Sequence, residues 1–526
     1  MSSRLVLGRT ALAAFISVAV AGCSVVPKPL THQEVMANAV ENAAILKKDV
    51  APITGPIDLN EAFARTIKYN REARLKTFEA VVSQGQLSVD KFDMLPKLAV
   101  AAGYTRRNNY DASASVSFDG DKPAPLRDNP NYFVSSDKST VNANIGATWD
   151  VLDFGLSYYR AKQQADRFMI AKERERKVVH NIMEQSRSAY YRAVSAERLL
   201  AKINPLITKA RKALSDSERL EQIRAQSPME ALMYQRSLLE TLRTLQDIRK
   251  DLMPAKAELA TLMGLNPSTK FQLADVNNPN FITPKLNINI KDMERTALVL
   301  RPELREAQYQ KRITQQEVHS AFLSLFPSLN LNLSVNYNDS DYLRNNDWRS
   351  AGVGVNWNLM NVFRYGKIKQ LNKLKIAASE QQALATAMAV ISQVHIADIQ
   401  YKEAIYTYQL STQYFDVSQR IKTQVESSRT AQSIGDLTVI REELNAVLAE
   451  LRRDVAYANL QNDYGKVLVS MGLDPLPAGF GNMSLEQLSK AFKKLQMKWR
   501  QGGINVITER AMQPSLTAQR KVESES

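Results

Sequence analysis

Two stretches of this chain leave little freedom about what they form. From Leu156 to Ala225 there is one proline, Pro205, and no glycine, and from Lys367 to Ile434 there is neither. Tracts of this length without punctuation, rich in Ala, Glu, Gln, Lys and Arg, predict single α-helices on the order of 100 Å long at 1.5 Å per residue. Such a rod needs partners along its length. A turn at Ser227-Pro228, and another at Gly435-Asp436, leads in each case into a returning helix of about 35 residues. The returning helices end at Met263-Gly264-Leu265-Asn266-Pro267 and at Met471-Gly472-Leu473-Asp474-Pro475. Glycine there supplies the C-cap conformation, and proline forbids continuation. Their many Ala and Ser positions allow the close approach that coiled-coil-like packing requires.

These stops belong to an internal duplication. Met263 to Pro267 recurs at an offset of 208, and Trp149 recurs as Trp357 at the same offset. Upstream, Leu95-Pro96-Lys97-Leu98 recurs as Phe326-Pro327-Ser328-Leu329, and Gln84 as Gln315, at an offset of 231. The difference of 23 places an insertion between Leu98 and Trp149, where Asp111 to Asp137 is rich in Ser, Asp, Asn and Pro and reads as an enlarged surface loop. Each half opens with a helix of roughly 30 residues, Asp58 to Phe92 and Asp292 to Leu323, ended by Pro96 and Pro327.

After those prolines the period changes from helix to strand. In Leu329-Asn330-Leu331-Asn332-Leu333-Ser334-Val335-Asn336-Tyr337-Asn338 apolar and polar residues alternate without a break. This length and alternation match a transmembrane strand with Leu329, Leu331, Leu333 and Val335 toward lipid and Asn330, Asn332, Ser334 and Asn336 toward a wet lumen. Val353, Val355, Trp357 and Leu359 repeat the pattern on the return strand, which puts Trp357 on the lipid side. Val141, Ala143, Ile145, Ala147 and Trp149 do the same in the first half. Tyr104, Trp149, Phe154, Tyr158, Tyr337, Trp357, Phe363 and Tyr365 cluster at strand ends, where amphipathic rings suit a membrane interface. Four strands leave two open edges that cannot face lipid, so the chain is expected to oligomerise.

At the N-terminus, Arg4 and Arg9 precede an uncharged stretch from Thr10 to Ala21, too short to span a bilayer. It ends in Val20-Ala21-Gly22-Cys23, which resembles the bacterial lipoprotein box, with Cys23 as lipidation site and mature N-terminus. In the rule for such lipoproteins an aspartate at the next position retains them in the inner membrane; here that residue is Ser24, which implies outer-membrane sorting. Removing residues 1–22 lowers the net charge from +15 to +13. The excess of Lys and Arg is interleaved with Asp and Glu along the helices, which reads as solvated faces and not as a nucleic-acid stripe. Cys23 is the single cysteine, so no intramolecular disulfide can form.

The order helix, hairpin, long helix, short helix, twice over, with Leu-Pro-x-Leu opening a hairpin and Trp149-Asp150-Val151-Leu152-Asp153-Phe154-Gly155 closing one, resembles the TolC-like outer-membrane factors from Ile57 to Pro475. The second closing motif, Trp357 to Gly366, departs by three extra residues and by Asn358 in place of Asp. The resemblance implies a mainly α fold with a transmembrane β part, four strands and long paired helices per subunit, closing as a homotrimeric α/β-barrel. It implies the exit duct of a tripartite efflux or type I secretion system in a Gram-negative outer membrane, with a periplasmic adaptor protein and an inner-membrane RND or ABC transporter as partners. The alternative is a non-conducting helical lipoprotein that spaces the cell envelope. The expected organisation is signal peptide 1–22, lipidated linker 23–56, first repeat 57–272, equatorial connector 273–291, second repeat 292–475, and an amphipathic helix (Ser484 to Trp499) with a polar tail in 476–526.

The family closes its pore at the periplasmic tip. Gly435-Asp436-Leu437-Thr438-Val439-Ile440, followed by Asn445-Ala446, resembles the family's Gly-x-x-Thr-x-x-Asp-Val-Leu-Asp-Ala. The two family aspartates fall on Arg441 and Leu444, so the gate candidates become Asp436, Arg441, Glu442, Glu443 and, at the equivalent first-half turn, Glu230. No enzyme chemistry is expected. His32, His180, His319 and His395 are scattered without metal-ligand spacing, no nucleophile or phosphate-binding motif is present, and beyond the covalent lipid on Cys23 no cofactor is implied. The sixteen methionines, spread along helices, read as packing and not as a soft-metal site.

Overall fold

The computed structural model describes residues 27–48, 50–222, 228–276, 281–430, 436–477, 480–504 and 506–507. It divides into two compact units, Met1–Pro52 and Ile53–Ser526. In the first, the stretch expected as a linker contains helix α1 (His32–Lys48). Thr31 starts it: its hydroxyl accepts from the Glu34 amide, while the Glu34 carboxylate accepts from the Thr31 amide and hydroxyl, so that the two backbone amides are satisfied reciprocally.

The second unit carries the duplication. The helix expected from Asp58 to Phe92 is two helices, α2 (Leu59–Tyr69) and α3 (Arg71–Phe92). Asn70 breaks it with an extended backbone and caps α3, its side-chain oxygen accepting from the Glu72 and Ala73 amides. Strand β1 (Lys97–Arg106) follows, then β2 (Ala112–Ala114), β3 (Phe118–Asp119), β4 (Lys122–Pro123), β5 (Tyr132–Val134) and β6 (Ser139–Asp150). The insertion is therefore more than a loop, since β2 pairs with β5 and β3 with β4 as antiparallel rungs. Asp150 ends β6 and at once caps the 72-residue helix α4 (Val151–Gln222), accepting from the Leu152 and Asp153 amides. Helix α4 runs through Pro205 without ending. The returning helix, expected to be continuous, divides at Pro254 into α5 (Pro228–Leu252) and α6 (Ala255–Leu262), because proline cannot donate within a helix.

The second half repeats the plan. The helix expected from Asp292 to Leu323 is α7 (Ile290–Leu300) and α8 (Pro302–Leu323), broken at Arg301, which lies 231 residues after Asn70. Strands β7 (Ser328–Asn338) and β8 (Asp347–Asn356) lead to the 71-residue α9 (Met360–Thr430) and the 35-residue α10 (Asp436–Ser470). Asn358, 208 residues after Asp150, accepts from the Met360 amide, so the altered closing motif keeps its capping role. The chain then forms α11 (Leu485–Arg500), started by a capping box between Ser484 and Gln487.

Two cores result. Helix α4 packs on α3, α5, α8 and α10, and α9 packs on α8 and α10. The buried face of α9 runs Val390, Val394, Ala397, Tyr401, Ala404, Tyr408, a strict alternation of four and three that marks a coiled-coil seam. Leu488 and Phe492 of α11 enter the core of the first half, where Phe492 meets Phe63 at 5.7 Å between ring centroids, while Trp499 enters that of the second. Helix α11 thus staples the halves together. Burying a residue of the size of Phe492 contributes about 1.5–3 kcal/mol.

The Met-Gly-Leu stops explain the helix breaks. Gly264 and Gly472 adopt φ of 71° and 73°, and Leu265 and Leu473 donate back to the Ala260 and Leu468 carbonyls, closing α6 and α10 as Schellman motifs. A Cβ on Gly264 would stand 2.6 Å from the Tyr69 carbonyl oxygen, and one on Gly472 2.6 Å from the Leu300 carbonyl carbon. Each stop is seated on the break between the paired helices of its own half.

Candidate functional site: a two-faced sheet and a helical tip

The four long strands form one antiparallel sheet in the order β1-β6-β7-β8. Register decides what each face carries. Leu331 of β7 stands opposite Trp149 and Val353, Leu333 opposite Ala147 and Ala351, and Val335 opposite Ile145 and, toward the far end of the sheet, Arg349. Because side chains alternate along every strand, these residues share one face. Leu329, Leu333 and Val335 are exposed there, and Leu331 is half-buried. Trp357 lies just past the last paired residue of β8, so the return strand is shorter than expected. Its indole N–H donates to the Leu325 carbonyl at 3.0 Å.

The opposite face carries Asn330, Asn332, Ser334 and Asn336. Asn336 donates to the hydroxyls of Ser334 and Ser350, which are themselves 2.6 Å apart, and Asn330 donates to Ser328. Ser328 in turn donates to Asp150. Asn332 is exposed. Gly103, Gly352 and Gly354 have nothing within 4 Å of where a side chain would begin, so this face is open as well as polar. At the far end of the sheet Asp137 accepts from the Ser340 hydroxyl and the Asp341 amide, and Asp339 accepts from the Val141 amide. These bonds tie the insertion to the turn between β7 and β8. Strands β1 and β8 have no outer neighbour among the described residues.

At the other end of the long helices the expected gate residues divide. Arg441 is exposed and donates to Glu442 at 3.3 Å, and Glu442 also accepts from Asn445. Glu443 is bound to Lys209 of α4 at 2.6 Å. Glu230 is exposed in the first turn of α5. Val439, Ile440 and Leu444 are buried, which fixes the first turns of α10 against their neighbours. Asp436 begins α10, and Gly435, like Cys23, Ser24 and the signal segment, lies outside the described residues.

Several charges expected on solvated faces are buried between helices instead. Asp166 of α4 binds Arg312 and Gln316 of α8. Arg198 of α4 pairs with Asp454 and Glu450 of α10, and Lys202 pairs with Glu450. Arg453 lies between the rings of Phe281 and Phe415, 4.6 and 3.9 Å from their centroids. His180, 2% exposed, and Arg176 both bind Asp474, the acid of the second Met-Gly-Leu stop, at 2.9 and 2.5 Å. Burial alone would raise the pKa of Asp474, and these hydrogen bonds outweigh that and hold it below the ordinary carboxylate value. In sequence these residues are ordinary members of polar helices. Only the pairing of distant helices shows which charges face inward.

Among the described residues no helix is long and apolar enough to cross a membrane. No protein-family model matches the chain, and no curated protein matches it in sequence. Solved structures do match. The Campylobacter jejuni CmeC outer membrane channel aligns over 84% of this chain and 89% of its own, with a TM-score of 0.62 at 14% identity. The open state of the Neisseria gonorrhoeae MtrE outer membrane channel aligns over 81% and 95%, with 0.59 at 15%. The outer membrane protein VceC of Vibrio cholerae aligns over 79% and 96%, with 0.56 at 13%. The chain has the fold of the TolC-like outer-membrane channels.

Proposed function

We propose that this chain is one subunit of an outer-membrane exit duct, which closes as a homotrimer and conducts substrate from an inner-membrane transporter across the periplasm and outer membrane. The observation that carries the reading is the sheet. It has an exposed, mainly apolar face, an open face mainly of Asn, Ser and Gly, and two edges unpaired among the described residues, and it continues without a linker at Asp150 into a 72-residue helix. Unpaired edges in lipid cost several kcal/mol per backbone group, and copies of the same sheet joined edge to edge remove that cost while enclosing the polar face. A spacer that conducts nothing has no use for an open polar face.

The helices support the same assembly. On α9, Leu384, Met388, Ile396, Ile399, Tyr406 and Leu410 are exposed among the described residues, as cover by a neighbouring copy would require. The channels of like fold are named as outer membrane proteins, which favours that location here. Lipidation at Cys23, with its acyl chains in the outer membrane, a periplasmic adaptor and an RND or ABC pump complete the proposal. At the tip, Glu442 and Glu443 set a cation preference and Arg441 stabilises closure. Crosslinking of membrane-extracted protein should give a ladder ending at three copies, and a ladder ending elsewhere overturns the trimer. For the tip, Glu442→Gln with Glu443→Gln should shift the reversal potential under a salt gradient. An unchanged potential returns these residues to a purely structural role.

A further inference from the structure

A cavity of about 600 Å³ lies away from both the sheet and the tip. Its walls come from the start of α2, from α4, from the connector at Asp275 and Phe281, from α10 and from α11. That volume is in the range of small-molecule sites.

Three acids, Asp58, Asp275 and Asp454, and three cations, Arg198, Lys493 and Arg500, line it. Each lining acid is already engaged. Asp58 caps α2 through the Glu61 amide, Asp275 accepts from Tyr190, and Asp454 is held by Arg198 and Arg453. The two cations of α11 that line it are not: among the described residues neither Lys493 nor Arg500 has an acidic partner, and the buried Arg500 Nε has no acceptor. Between them on the same helix face is Gln496, 4% exposed, with both its amide oxygen and its amide nitrogen lacking a partner among the described residues. A buried amide left wholly unsatisfied is costly and rare, and here it lines an empty space. Phe281, Tyr191 and Tyr457 give the remaining wall an aromatic surface.

We infer that this cavity is a binding site for a small organic anion with a flat apolar body. Arg500 and Lys493 take the anionic group, Gln496 supplies a donor and an acceptor beside it, and the rings of Phe281, Tyr191 and Tyr457 contact the body. The inference stands apart from conduction, since none of these residues belongs to the sheet or the tip.

The test uses full-length protein in nanodiscs with 1-naphthoate as probe, titrated calorimetrically. Saturable binding at one site per chain is expected. The Lys493→Gln, Arg500→Gln double variant should weaken it about tenfold or more, as should replacing the probe by neutral 1-naphthamide. Lys490→Gln, on the same helix but paired to Glu486 outside the cavity, should leave affinity unchanged. Gln496→Leu should weaken naphthoate binding and raise the Tm of the free protein, because it removes an amide that has no partner. Absence of saturable binding, equal affinity in the double variant, or a lowered Tm in Gln496→Leu each overturns the assignment.

Discussion

Replacing Gly472 by alanine tests how the two halves of each repeat are fastened. Two costs add. The residue sits at φ 73°, where an L side chain costs about 1–2 kcal/mol. Its new Cβ would also stand 2.6 Å from the Leu300 carbonyl carbon, 2.7 Å from the Arg301 nitrogen and 2.8 Å from the Leu300 oxygen. All three are backbone atoms at the break between α7 and α8, so no rotamer change relieves the overlap. Overpacking of this kind costs about 1–3 kcal/mol, giving a total of about 2–5 kcal/mol. Two other glycines separate the terms. Gly502 has φ of 83° but nothing within 4 Å, so Gly502→Ala should lose only the conformational part, about 1–2 kcal/mol. Gly85, inside α3 and facing open space, should gain about 0.5–1 kcal/mol as alanine. Urea unfolding followed by tryptophan fluorescence reads this directly, because Trp499 is buried in the same cluster as Leu473. Equal losses at Gly472 and Gly502 would refute the seating of the stop on the helix break.

The other predictions concern the sheet, the acid of the second stop and the anchor. Leu333→Arg puts a charge on the apolar face and should cost roughly 2–4 kcal/mol near the bilayer midplane, whereas Asn332→Arg should be tolerated; folding assays in lipid distinguish them, and the reverse order would mean the faces are exchanged. Asp474 has a depressed pKa in the folded protein, so its contribution is present above its unfolded value of about 4 and is lost as pH falls through the folded value. The stability gap between wild type and Asp474→Asn should therefore narrow from pH 5 toward pH 3, and a constant gap would contradict the assignment. Cys23→Ala should abolish labelling by a fatty-acid analogue, and surviving label would place the lipid elsewhere.

The large plan was legible because it rests on periodicity and punctuation. The unbroken alternation of Leu329 to Asn338 specified β7, and the long tracts without punctuation specified α4 and α9, whose observed starts lie five and seven residues earlier than expected. What escaped was decided by tertiary contact. Asn70 and Arg301 interrupt helices in otherwise helical sequence because the Gly264 and Gly472 stops press on the backbone there, a contact between segments far apart in the chain. Pro302 and Pro254 were local signals that could have located two of the breaks. The role of α11 was half visible: Leu488, Phe492 and Trp499 have helical spacing, but only the packed structure shows that they reach two different cores. At the tip, the acids could be located but not their partners, since Lys209 lies 234 residues from Glu443.

The central claim is that the open polar face of the sheet lines a conducting pore. Single-channel recording of purified protein in a planar lipid bilayer tests it most directly, with Asn332→Arg as the probe of that face. The account predicts discrete conductance steps for the wild type and a lower, more anion-tolerant conductance for the variant. A protein that inserts and assembles yet passes no current, or a variant indistinguishable from wild type, would contradict it.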